Sequence, residues 1–397
     1  MQVPYYSPNF YLKDLFLVFF KRNSKEEIEN YFRKYSGKQY ILITASCRSA
    51  LYLTYKSLQR TGTVITSPLT CRSAIDPIVW AGNKIVFSDI NINTLNISEA
   101  DILDKIKIKP VAIQIINHGG IVFDTKRLKE STSSFKDTII VEDCAQSFGA
   151  ELEGYPGGHF ADVACFSFIK NLYGIGGGIL ATNNKSLYLK AKNIQEEFPA
   201  FSTKIIFYRG IRNLLESYRR FSICNRIFRK LIKYRNSGKN SEIEDEGRYL
   251  KQPHWLFTRV VVQQLKKRRN LHEKRIVIGL YLAEKLRQNG LMYNYQGYNL
   301  SKSSFTKLFV YNPCFDSGIL IDKLNKKGIE AKHLEHRTDA AVQPILDNIY
   351  PSDKISGLRD CHNYNYVNQK IVSLPIHEKM KPKILDHIIN ELKDLVE

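Results

Sequence analysis

Seven short β-rich runs lie between residues 41 and 183, several of them separated by helix-compatible stretches, and this alternation leaves the chain few folds to choose from. The runs are Ile41 to Thr44, Val64 to Thr66, Lys84 to Ile90, Val111 to Asn117, Thr138 to Cys144, Asp162 to Phe168 and Gly177 to Asn183. Most are apolar almost throughout, the pattern of strands buried on both faces. Arg48 to Gln59 and Ser73 to Ala81 suit the helices between them. The pattern predicts an α/β fold on a mainly parallel, seven-stranded sheet. In such sheets ligands sit at the carboxyl ends of the strands, so the residues that follow each run are the ones to inspect.

A chain of 397 residues exceeds what one core usually holds. The expected division is an N-terminal segment over 1–34, a large domain over 35–245 and a smaller C-terminal α/β domain over 246–397. The large domain includes a basic, aromatic helical insert near 198–235, and the polar NSGKNSEIEDEG after it reads as an exposed linker. Seven cysteines with no C-x-x-C pair and no matched histidine spacing indicate neither a disulfide framework nor a zinc site, which fits a reducing cytoplasm. No secretory leader is apparent and no apolar run approaches 18 residues, so neither secretion nor a membrane span is expected.

The net charge of +20 favours anionic partners: nucleic acid, acidic lipid or phosphorylated small molecules. No nucleic-acid motif accompanies it, and nucleic acid is not expected as a partner. Much of the charge lies between Lys204 and Arg235, interleaved with aromatic residues. Such a stretch is read either as a solvated helical face or as a helix in peripheral contact with an anionic membrane.

Three places can carry chemistry. The run TIIVEDCAQ puts Asp143 at a strand's carboxyl end, where it caps the next element or holds a cationic ring nitrogen. Lys170 directly follows the apolar run DVACFSF and precedes the turn GIGGG. A lysine drawn toward low dielectric becomes a better nucleophile and can form a Schiff base, although most lysines at strand ends reach out to solvent. In TASCRSAL a strand meets a helix start at Ser46, Cys47 and Arg48, suited to phosphate or to plain capping. Ser167 is a second hydroxyl for phosphate, and His118 after VAIQIIN either touches substrate or belongs to the core.

The ordered set S-C-R-S-A-L, P-L-T-C-R-S-A, V-E-D-C-A-Q-S-F-G-A, F-S-F-I-K-N-L and G-G-G-I-L-A-T-N resembles the DegT/DnrJ/StrS sugar aminotransferases, of fold type I. The likeness runs from about Gly37 to Asn183 and resumes at QQLKKRRNLHEKRIVIGLYLAEKL and SLPIHEKMKPKILDHIINEL. It implies pyridoxal 5'-phosphate as cofactor, with Lys170 as the imine lysine, Asp143 on the pyridine nitrogen and Gln146 against the ring. It also implies that Ser46, Cys47, Arg48 and Ser167 hold the phosphate, and that Cys71 stands where many relatives stack an aromatic side chain. The implied activity is transfer of an amino group, from glutamate as expected donor, to the keto group of a nucleotide-linked sugar by a homodimer. Polysaccharide or amino-sugar synthesis is the implied setting. A sugar dehydratase is one alternative, although the family's dehydratases replace the lysine by histidine; a non-catalytic, membrane-associated relative is another.

The chain departs from the family pattern in two further respects. The Ser167-to-Lys170 spacing is shorter than S-F-x-x-x-K, and the G-x-N-x-R segment by which a partner subunit reaches the phosphate reads GRYLKQ at 247–252. Arg48 or Arg72 is the expected substitute for the positive charge so lost.

Overall fold

A computed structural model of the protein describes residues 3–17, 24–219, 221, 223–228, 230, 246–333 and 350–396. Most of the predicted linker at 236–247 lies outside the described residues. The strands in chain order are β1 (Tyr40–Thr44), β2 (Thr63–Thr66), β3 (Lys84–Phe87), β4 (Ala112–Ile116), β5 (Ile139–Asp143), β6 (Glu151–Leu152) and β7 (Tyr155–Pro156). They continue with β8 (Val163–Ser167), β9 (Gly178–Thr182), β10 (Leu308–Tyr311), β11 (Ile355–Ser356) and β12 (Ile371–Leu374).

The large sheet runs β1-β9-β8-β5-β4-β2-β3-β11. It is parallel from β8 to β11, while β9 is antiparallel to both β1 and β8. All seven predicted runs are in it. The eighth strand, β11, is two residues long and comes from the C-terminal region.

Alternate residues of each strand enter opposite cores. Val64, Ala112 and Val141 pack on one face, and their neighbours Ile65, Ile113 and Ile140 on the other. A sheet covered on both faces accounts for the uninterrupted apolar runs. The helix Cys47–Ser57 is buried along nearly its whole length, only Lys56 among its residues being exposed. Ile28 and Phe32, from the N-terminal helix Ser24–Ser36, fill the face near β1 and β9.

A 34-residue helix, Trp255–Gln288, is roughly 50 Å long and joins two cores. Phe257, Val260 and Val261 near its start pack with the sheet, and Leu282, Ala283 and Leu286 near its end pack with the C-terminal region. There the antiparallel pair β10 and β12 packs with helices Ser317–Lys326 and Pro382–Val396. The chain then partly returns: Leu358, Cys361, Tyr364 and Val367 join the first core. Asp89 accepts from the amides of Asn363 and Tyr364, at 2.8 and 2.9 Å, and so fixes this return.

The predicted insert contains a helix at Thr203–Ser217 and a second helical stretch at 223–228. No helix among the described residues is long and apolar enough to cross a membrane.

Candidate active site

The carboxyl ends of β2, β4, β5 and β8 share one edge of the sheet, and the segments leaving them surround a cavity of about 200 Å³. After β1, Ser46 adopts an extended backbone and starts the helix Cys47–Ser57; its Oγ accepts from the Ser49 amide at 3.0 Å. Capping is therefore one role of Ser46. The first turn itself carries no acidic residue to offset the positive end of the helix dipole.

The GIGGG turn closes against this helix start. The Gly177 amide donates to Ala45 O at 2.9 Å, and Gly177 has φ +95°, a conformation that favours glycine. A Cβ at Gly178 would sit 2.6 Å from the Cys47 nitrogen, so only glycine allows β9 to approach so closely.

Asp143 ends β5, is almost fully buried and lines the cavity. Its Oδ1 accepts from the Ala145 amide at 2.9 Å and from the Cys47 thiol at 3.5 Å. Burial raises the carboxyl's pKa, while these donors and the charge on Lys170 act to lower it. The Cys47 thiol is pushed well up, first by burial and then by Asp143, and stays a protonated donor.

Lys170 lies in the turn that follows β8. Its neighbour Asn171 anchors that turn by donating from Nδ2 to Gln146 O at 3.1 Å and Phe148 O at 2.9 Å. The Tyr6 hydroxyl donates to Ile169 O at 3.2 Å. The Gln146 side chain is oriented in turn, since its Oε1 accepts from the Gly119 amide at 3.1 Å. The short spacing does not separate Ser167 from Lys170: both face the same cavity.

The residues that the family resemblance assigns to the cofactor all line this cavity: Ser46, Cys47, Arg48, Cys71, Asp143, Gln146, Ser167 and Lys170. Of the two arginines weighed as a substitute charge, Arg48 is in the wall and Arg72 is not. The Arg48 guanidinium lies 3.7 Å from the Tyr249 ring centre and donates to Ser73 Oγ at 2.5 Å. Both guanidinium groups approach Asp76, Arg48 at 3.8 Å and Arg72 at 3.4 Å, but only Arg48 reaches the cavity.

Tyr249, within GRYLKQ, lines the cavity of its own chain, and its carbonyl accepts from Ser49 Oγ at 2.9 Å. Arg209, Lys307 and Phe309 also line the wall, and sequence reasoning missed them. His118 is there too, buried edge-on to Phe309. Burial and then the charge on Lys307 push its pKa down to about 3, so it is neutral, and its Nε2 has no hydrogen-bond partner among the described residues.

Comparison with known proteins bears on this arrangement. The model of the DegT/DnrJ/EryC1/StrS aminotransferase family matches residues 19–202. Over 172 residues the chain is 31% identical to the GDP-perosamine synthase of Escherichia coli O157:H7, a match that takes in 42% of this chain and 47% of that protein. The chain thus matches about half the length of this curated relative. Among solved structures, Helicobacter pylori PseC, an aminotransferase involved in the biosynthesis of pseudoaminic acid, superposes over 99% of both chains with a TM-score of 0.74 and 18% identity. An E. coli GDP-4-keto-6-deoxy-D-mannose-3-dehydratase with bound hydrated pyridoxal phosphate gives a TM-score of 0.75 at 16% identity, over 99% of each chain.

Proposed function

We infer, for a chain whose residues 19–202 match the model of the DegT/DnrJ/EryC1/StrS aminotransferase family, a pyridoxal-phosphate-dependent transfer of an amino group to a nucleotide-linked keto sugar. The observation that carries this reading is the meeting of Lys170, Asp143 and the helix start at Ser46 to Arg48 in one cavity.

The donor set fits the cofactor. A helix N-terminus, the Ser46 and Ser167 hydroxyls and the Arg48 guanidinium suit a phosphate dianion. A buried carboxylate that gains from a cation beside it suits a pyridinium nitrogen, and an amine suits the aldehyde. When bound, pyridoxal phosphate supplies the electron sink and carries the amino group between substrates.

The chain's own groups do the rest. Asp143, held by Ala145 and Cys47, keeps a proton on the ring nitrogen by presenting negative charge to it. The Lys170 amine, when not bound to the cofactor, would serve as the base that moves the proton. Gln146, its side chain fixed by the Gly119 amide, would hold the cofactor ring from the cavity wall. Leu51, Leu69, Ile116 and Phe309 give the wall its apolar part and exclude water. Arg209 and Lys307 add positive charge suited to a nucleotide diphosphate.

The presence of lysine at 170 favours transfer over dehydration, since the family's dehydratases carry histidine there. Glutamate is the proposed amino donor and a homodimer the proposed assembly, in a compartment reducing enough to keep the seven free cysteines as thiols.

The test is a spectrum of the purified protein titrated with pyridoxal phosphate, then borohydride reduction and peptide mapping. The label is expected on Lys170, and a label on any other residue refutes the site. Incubating the loaded protein with glutamate and a nucleotide-linked keto sugar should then yield 2-oxoglutarate and an amino sugar. A dehydrated sugar in place of the amino sugar would assign the alternative.

A further inference from the structure

The helix Thr203–Ser217 buries Ile206, Gly210, Glu216 and Ser217. A surface helix ordinarily turns charge outward on the opposite side. Here the far side carries apolar groups: Phe207 is 57% exposed and Ile211, four residues on, 52%. The stretch that follows continues in kind, with Phe221 and Ile227 exposed and Ile223 at 70%. Lys204, Arg226 and Lys230 are exposed among them. Residues 203–230 hold eight Lys or Arg against one Glu.

Two features narrow what covers such a face. A second copy of the chain meeting it about a twofold axis would bring the same patch of each subunit together and set like charge against like. Nucleic acid would use the charge but leave the aliphatic side chains Ile211, Ile223 and Ile227 without a role. An anionic bilayer surface uses both, since apolar side chains enter the headgroup boundary while cations meet acidic lipid. We propose that the segment 203–230 docks the protein on an anionic membrane surface.

The test uses the full-length, cofactor-loaded protein in vesicle co-sedimentation, with phosphatidylcholine alone and with phosphatidylcholine containing phosphatidylglycerol. Partitioning onto the acidic vesicles should exceed that onto neutral ones by on the order of 10-fold and should weaken as salt rises. The triple variant Phe207→Ser, Ile211→Ser, Ile223→Ser and, separately, Lys204→Gln, Arg226→Gln, Lys230→Gln should each remove most of that binding. Circular dichroism and transferase activity check that each variant folds, and the charge variant keeps the test open if the apolar one does not.

Equal partitioning onto both vesicles, or binding that survives both sets of substitutions, would overturn the proposal. So would an apolar variant that changes the sedimentation coefficient while lipid binding is retained, because the face would then belong to a second copy. Salt-sensitive binding of an oligonucleotide that exceeds lipid binding and survives the apolar substitutions would likewise defeat it.

Discussion

Lys170, in the turn after β8, and Asp143, at the end of β5, should fail differently when replaced. Lys170→Ala removes the amine that moves the proton, and transfer should fall on the order of 10⁴-fold, while the fold and the cavity wall persist. Asp143→Asn keeps the shape but not the charge, and should cost roughly 10²-fold with a loss of cofactor affinity. Single-turnover transfer and a cofactor titration separate the two. The arginines provide a sharper contrast. Arg48 is in the cavity wall, so Arg48→Ala should weaken cofactor binding by about 1.5–3 kcal/mol, the range for a hydrogen bond to a charged group. Arg72 is engaged with Asp76 outside the wall, so Arg72→Ala should leave the affinity unchanged, and equal losses in the two variants would be the contrary result. Position after a strand drew attention to Lys170, Asp143 and Arg48, but their roles were legible only through the ordered motifs that resemble the family. Arg209, Tyr249, Lys307 and Phe309 were not, since they reach the cavity from distant stretches with no local pattern to mark them.

At the level of elements, the contact between the GIGGG turn and the helix start is the tightest part of the site. Gly178→Ala would place a methyl group 2.6 Å from the Cys47 nitrogen and the Ser46 carbonyl carbon. Neither backbone atom can rotate away. The helix start and β9 must therefore separate, at a cost of about 1–3 kcal/mol, with the phosphate end of the cavity displaced. A lower urea midpoint together with weaker cofactor binding is the expected pair of results, and a drop in stability alone would place the strain elsewhere. The strands themselves could be read because burial on both faces leaves an unbroken apolar run. β11 could not be, because two residues show no periodicity and its position depends on Asp89 and the packing of Leu358 to Val367. The helix Cys47–Ser57 was placed correctly to within a residue or two, because Ser46 is a good cap and lies two residues past the end of a run.

Across the whole molecule, three buried histidines make stability depend on pH. Burial pushes His118 and His272 down to about 3 and His377 down to about 4, against an ordinary value of 6.5. From pH 6.5 down to about 4 the unfolded chain takes up protons that the folded chain refuses, so stability falls as pH falls. The slope is at most about 1.4 kcal/mol per pH unit for each group. Glu142 and Asp143, whose pKa values burial raises, act in the opposite sense. The histidine contribution is therefore best read by difference: His377→Gln should lose less stability than the parent between pH 7 and pH 5 in urea titrations, and an identical loss would count against it. The return of the chain to its first sheet also has a consequence for synthesis. β3 lies at residues 84–87, and the strand that covers its edge, β11, comes only at residues 355–356. From the synthesis of β3 until residue 356 is made, the nascent protein carries an open row of backbone donors and acceptors, which other nascent chains or a chaperone can occupy before the protein's own strand is made.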